Sequence, residues 1–132
     1  MGYEEIPHTA DWSLRVWADD LAGLLAESAR GMNWLARAEL AEVPRVKQTF
    51  ETEGIDGESL LVAFLSELVY CAEQENMSFD NFEISIKNDR LKVEMQGAPL
   101  QSLNKAIKAV TWHTLEICES ARGLEVEIVF DV

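Results

Sequence analysis

Hydrophobic and polar positions along this chain fall into a few clear periods. Residues 12–18 alternate, with Trp12, Leu14, Val16 and Ala18 on one parity and Ser13 and Arg15 on the other. A period of two sends successive side chains to opposite faces of a pleated strand, so a half-buried strand is expected here. Asp19 or Asp20 then stands where a helix needs a side-chain acceptor for its first free amides. Leu21, Leu24, Leu25, Met32 and Leu35 follow at helical spacing. After Pro44 the run "RVKQTFET" alternates again and predicts a second strand. "GIDGES" reads as a turn, and Asp56 is placed to cap a helix over roughly residues 58–75. Leu60, Leu61, Phe64, Leu65, Leu68 and Val69 make that helix apolar on most sides, so it is expected to be the more buried of the two.

The second half differs in kind. "FEISIK" and "LKVEMQ" alternate around "NDR", the pattern of a hairpin. "KAIKAVTWHTLEI" is rich in β-branched and aromatic residues and reads as strand, and "LEVEIVFDV" alternates once more after the turn "ESARG". Together these elements predict an α+β fold, with two helices packed on one face of a mixed, largely antiparallel β-sheet. The strand–helix order of the first half leaves room for one parallel pair. A chain of 132 residues without linker, repeat or low-complexity run is expected to form one domain over 1–132.

Charge narrows the function. Acidic residues number 24 against 11 basic ones, a net charge of −13, which is the wrong sign for a sequence-independent grip on a phosphate backbone. The surface is suited instead to cations or to a basic protein. The N-terminal "MGYEEIP" is acidic where a signal peptide would be basic and then apolar, and Ile6 stands where myristoylation needs Ser or Thr. The longest apolar run, "LLVAFLSELVYCA", is broken by Ser66 and Glu67 and is too short to span a bilayer. A cytoplasmic protein is therefore expected. Cys71 and Cys118 both fall on faces read as buried; a disulfide between them is one reading, and free thiols of a reducing compartment are the expected one.

Candidate chemistry gathers at two chain positions far apart in sequence. In the last strand Leu124, Val126, Ile128 and Phe130 share one face, which leaves Asp131 with Glu125 and Glu127 on the wetter one. Asp11 has the parity of Ser13 and Arg15, again the polar side. If the first and last strands are neighbours, Asp11, Asp131 and the terminal carboxylate of Val132 converge at one sheet end. Converging carboxylates favour a bound cation, and oxygen-only donors select Ca²⁺ or Mg²⁺ over zinc. The plainer reading makes Asp11 the cap of a polar turn and Asp131 a solvated residue. His8 and His113 are the only histidines, and each has a structural reading beside a ligand one. At His113 the apolar parity changes from Val110 and Trp112 to Leu115 and Ile117, which suggests a bulge. Lys108 shares the parity of Val110 and Trp112; it either sits on an apolar face or snorkels to the sheet edge. No serine–histidine–acid spacing, glycine-rich phosphate loop or CxxC pair is present, so no familiar catalytic apparatus is either.

"PHTAD", "KAVTWH" and the terminal "VFDV", in that order and separated by an acidic helical region, together resemble the archease family across nearly the whole chain. The resemblance implies an α+β fold and a small acidic protein that assists an RtcB-type RNA ligase, which joins tRNA exon halves using GTP and a divalent metal. It also implies a calcium-like cation at Asp11, Asp131 and Val132, functional sensitivity at Lys108 and His113, and a supporting role for His8. Trp12 and Ser13 depart from the small apolar residue and glycine often found after that aspartate. Trp112 replaces a tyrosine and removes its hydroxyl; none of these changes touches a proposed ligand.

The function so implied is a non-enzymatic activator that promotes ligase guanylylation and repeated turnover. GTP would be used by the ligase rather than held here, with no nucleic acid or membrane bound directly. One rival is a metal-dependent hydrolase built from His8, Asp11, His113 and Asp131, whose mark would be tight zinc binding. The other is a general chaperone-like protein acting through an exposed apolar patch, independent of both aspartates.

Overall fold

The structure, a computed structural model, describes residues 1–7 and 12–132. Strand β1 (Gly2–Ile6) runs antiparallel to β2 (Trp12–Ala18), from Gly2 opposite Trp17 to Ile6 opposite Ser13. Sequence periodicity misses β1, whose Glu4 and Glu5 obscure its alternation; Glu4 lies across from Arg15, so the ladder itself supplies the opposite charge. Helix α1 (Leu21–Ala36) follows, and of the two aspartates Asp20 is its cap, its carboxylate accepting the Gly23 amide at 2.7 Å. Short β3 (Glu39–Leu40) leads to β4 (Val46–Glu53) and α2 (Gly57–Glu75), capped by Asp56, which accepts both the amide and the hydroxyl of Ser59. The expected hairpin is β5 (Met77–Lys87) and β6 (Arg90–Ser102), closed by Asn88 in the left-handed region at φ 56°. β7 (Ala109–Val110), β8 (Cys118–Ser120) and β9 (Gly123–Asp131) complete the chain.

The strands divide into two sheets, and every ladder among the described residues is antiparallel. β9 is central to the first, with β2 and then β1 on one side and β7 and β8 sharing the other. β6 is central to the second, paired with β4, β5 and β3. The parallel pair left open by the sequence does not form, for a topological reason. β4 and β5 flank α2 and do run in the same direction, but β6 lies between them, antiparallel to both. α1 carries the chain from one sheet to the other, so β2 has no parallel partner either.

Both helices touch both sheets rather than covering one face of a single sheet. One core results, with Leu14, Val16, Ile128 and Phe130 from the first sheet meeting Phe79, Val93 and Met95 from the second across the helices. Contrary to expectation α1 is the more buried helix: nine of its 16 residues are buried against eight of 19 in α2. Small residues explain this. A Cβ at Gly31 would lie 2.5 Å from Leu14 Cδ2, so that face sits flush on β2, while α2 leaves Ser66, Tyr70 and its last turn in solvent. Within β5 the register shifts at Asp80, and the extra residue lets both Phe79 and Phe82 face the core. Phe82 meets Phe64 edge-on, ring centroids 5.6 Å apart.

The run 105–117 corrects a second expectation. Only Ala109 and Val110 are strand, and the chain turns at His113 and Thr114, with Thr114 at φ 55°, instead of bulging within a longer strand. The free edge of β9 is already divided between β7 at one end and β8 at the other. Leu115 and Ile117 reach the core without strand pairing, and the Ile117 amide finds the Glu58 carboxylate at 2.9 Å. The cysteines part company as well. Both are free, but Cys118 is exposed on β8 and only Cys71 is buried.

Two outcomes are expected. A Cβ on Gly97 would run into the Ser78 carbonyl and sit 2.8 Å from Phe79 Cα, where the β5 bulge presses on β6. Gly97→Ala should therefore cost about 2–3 kcal/mol in urea denaturation; an unchanged midpoint would show that the bulge yields. Burial, above all, pushes the Cys71 thiol up to about 11. Iodoacetamide at neutral pH should then modify Cys118 alone in the native protein and both cysteines after unfolding, read by peptide mass. Native labelling of Cys71 would contradict its burial.

Candidate functional site

The condition set by the sequence was that the first alternating strand and the last be neighbours. They are: β2 and β9 pair along their whole shared length, from Ala18 opposite Leu124 to Trp12 opposite Phe130. Asp131 and Val132 thus reach the sheet end at which the chain enters β2. Asp131 is exposed, while Val132 is half-buried against the core. On the other side Asp131 pairs with Ala109, and its carbonyl accepts the Lys108 amide at 2.8 Å. The backbone of this tip is held from both flanks, and no hydrogen bond from a described residue occupies the Asp131 carboxylate. His8 and Asp11 lie outside the described residues; Asp11 is bonded to Trp12, whose register partner Phe130 precedes Asp131.

The face that Asp131 shares is wet only in part. Glu125 and Glu127 surround Arg15 at 3.1 and 3.5 Å, and Arg122 bonds Glu125 at 3.2 Å while stacking 3.8 Å over the Trp17 ring. Hydrogen bonds from Arg122, then Ser120 and Arg15, hold the Glu125 carboxyl below its usual range. Nearer the tip the same face is dry: Ser13 and Val129 oppose each other and are 0% and 2% exposed. The Ser13 hydroxyl has no hydrogen-bond partner among the described residues. Alternation alone could not reveal this charge network, because it depends on which β9 residue stands opposite Arg15. Only the alternation of Glu with apolar residues near the chain end hinted at it.

Lys108 does not lie on an apolar face. Ile107 and Val110 take the core positions and Lys108 is exposed, because the chain is irregular until Ala109 and parity does not carry through. Lys105, which the sequence did not single out, has its ammonium 5.9 Å from the Trp12 ring centroid, near the start of β2. His113 is exposed in its turn. Its amide donates to Thr111 Oγ1, its carbonyl accepts from the Thr114 hydroxyl at 2.7 Å, and that hydroxyl lies 3.3 Å from Glu127. Glu127 is four residues back from Asp131, on the order of 13 Å at the strand rise, so His113 stands beside the middle of β9 and not at its tip. Among the described residues no three of His, Cys, Asp and Glu come together as a metal site. Among the described residues no helix is long and apolar enough to cross a membrane.

Fold and tip define an α+β protein in which two helices hold two antiparallel sheets and the last residues of the chain meet the start of β2 at one sheet end. The profile of the Archease protein family (MTH1598/TM1083) matches residues 3–132. Protein archease of Methanopyrus kandleri is 34% identical over 125 residues, covering 89% of each chain, and that of Pyrococcus abyssi 32% over 130 residues, covering 87% of each. The solution structure of Methanobacterium thermoautotrophicum protein 1598 superposes with a TM-score of 0.72 at 23% identity over 99% of each chain. An archease of Thermotoga maritima, described as a possible chaperone, gives 0.71 at 19% identity over 98% of this chain and 96% of its own. This chain belongs to the archease family.

A buried hydroxyl without a partner is a cost that a methyl group removes. Ser13→Ala is accordingly expected to raise stability by about 1 kcal/mol in chemical denaturation. A loss of similar size would reveal a partner for the hydroxyl.

Proposed function

We propose that this protein is a non-enzymatic activator of an RtcB-type tRNA-splicing RNA ligase, promoting formation of the ligase–GMP intermediate and repeated turnover in the cytoplasm. The observation that carries the reading is the β2–β9 register, which brings the last two residues to the sheet end where β2 begins at Trp12, the residue bonded to Asp11. We place a hard divalent cation, Ca²⁺ or its like, at Asp11, Asp131 and Val132. The donor set is oxygen throughout, which suits such an ion, and the backbone that carries Asp131 is fixed by Lys108 and β7. A cation there would offset local repulsion in a chain of net charge −13.

The chain's own residues supply binding and orientation. The acidic surface draws a basic RNA ligase. Activation then requires contacts that differ between two states of the ligase, stabilising the one that holds GTP and metal for attack. Lys108, tied through its amide to Asp131, and His113, on the Glu127 side of the same sheet, are the side chains we assign to that contact. The hydrolase reading loses support because His113 lies beside the middle of β9, away from Asp131. A protein that biases the conformation of one partner is a dedicated chaperone, so a chaperone description of a relative accords with this reading.

Covalent labelling of an RtcB-type ligase from the same organism with radiolabelled GTP tests it. Sub-stoichiometric amounts of this protein should raise the labelling rate and the number of ligations per ligase. Asp131→Ala should lower that stimulation by about tenfold or more without unfolding the protein. No stimulation by the unaltered protein would overturn the proposal, and full stimulation by Asp131→Ala would remove the cation site from it.

A further inference from the structure

A second feature lies away from the sheet end. Between the C-terminal halves of α1 and α2 is a cavity of about 420 Å³, within the range of ligand and anchor-residue sites. Its walls include Met32, Ala36, Leu68, Phe79, Leu103 and Ile107. The polar side chains at its floor are spent internally: Asn33 donates to the Phe79 carbonyl at 2.8 Å and faces the Ser78 hydroxyl at 3.3 Å. What remains is an apolar space that the core does not fill.

Its roof is the irregular segment from Leu103 to Lys108, tied down where the Asn104 amide meets the Ala36 carbonyl at 3.0 Å and the Lys108 amide meets Asp131. Leu103 is 36% exposed at the mouth. One wall is the end of α2. Ala72 and Glu73 line the cavity there, and the capping residue Asn76 exchanges hydrogen bonds with Leu100, another wall residue.

That helix end carries an uncompensated charge. Glu73 and Glu75 are exposed in the last turn of α2, which has no basic residue, so both carboxylates sit at the negative end of the helix dipole. Neither they nor Glu67 forms an ion pair with a described residue. Burial and then repulsion from Glu75 push the Glu67 carboxyl up. The arrangement disfavours the isolated helix and favours a cation brought from outside. An empty apolar socket beside unpaired carboxylates is the complement of an apolar anchor flanked by basic residues.

We propose that this cavity docks a segment of a partner protein that presents aliphatic or aromatic anchors at helical spacing, flanked by Lys or Arg facing the C-terminus of α2. Leu103 and the roof close over the anchors. Lys108, the one cation among the lining residues, faces the segment's backbone carbonyls or an acidic residue at its other end. The inference stands apart from the cation at Asp131 and does not require the partner to be the ligase.

The test uses fluorescence anisotropy with a labelled Leu/Lys peptide of about four helical turns, leucines at helical spacing, at physiological ionic strength. A Leu/Glu peptide of the same pattern and a Lys/Ser peptide without anchors are the controls. The Leu/Lys peptide should bind the native protein at least about tenfold more tightly than either control. Ala72→Phe, which fills the cavity, should weaken it by about tenfold, and Glu73→Lys with Glu75→Lys by several-fold. Should Ala72→Phe fail to fold by circular dichroism, Leu103→Asp at the exposed mouth takes its place, with the same loss expected. Equal binding of the Lys/Ser peptide, or unchanged binding to the filled variant, would reduce the effect to non-specific charge and overturn the proposal. So would binding of decanoate in the cavity with no peptide bound, which would assign it to a small amphiphile. A dimer by light scattering that Ala72→Phe dissociates would assign it to a second copy of this chain, with the same consequence.

Discussion

The pairing of β2 with β9 is the constraint on which the rest of the structure depends. It joins a strand that begins at residue 12 to one that ends at residue 131, and a single register sets three things at once. It faces Leu14 and Val16 with Ile128 and Val126, four side chains at the centre of the core. It also sets Arg15 between Glu125 and Glu127 on the other face. Finally, it brings the last residues of the chain to the sheet end at which β2 begins. A slip of one residue would turn the apolar set outward and move Asp131 away from the start of β2, so the core energetics that fix the register also fix that tip.

Long-range pairing of this kind costs loop-closure entropy that only a good core offsets. Here α1 supplies much of it, because Gly31 and its alanines let the helix lie flush against β2 while its other side touches β5. The second sheet contributes through its bulge, which aims Phe79 and Phe82 at the helices. That sheet has little part in the tip itself. Its outer face is polar, and its inner face packs against α2 beside the cavity at that helix's end.

Much of this was legible in the sequence, and what was not has physical causes. Alternation and capping located β2, α1, β4, α2, the β5–β6 hairpin and β9, because each carries its own local signal: Asp20 and Asp56 at the caps, "NDR" at the turn, and a strict period of two in the strands. β1 was invisible because an edge strand of glutamates gains its order from β2 and not from its own pattern. The run 105–117 misled because β-rich composition cannot announce that the edge of β9 is already shared; it put a bulge at His113 where the chain turns, and left Lys108 between an apolar face and the sheet edge. Cys118 and the relative burial of the helices were missed for a similar reason, since exposure depends on what packs opposite. At the site, the parity of Asp131 and the need for adjacent strands were readable. The dryness around Ser13, the Arg15 network and the tie between Lys108 and Asp131 needed the register.

In the proposed function Asp131 and Val132 form one half of a cation site whose other half is Asp11, bonded to the first residue of β2. An amide NMR titration of the isolated protein with Ca²⁺ examines that most directly. Saturable shifts are expected at residues 131 and 132, at Lys108 and Ala109 beside them and at the start of β2, with β4–β6 unmoved. Shifts scattered over the acidic surface without saturation, or none at the end of β9, would contradict it.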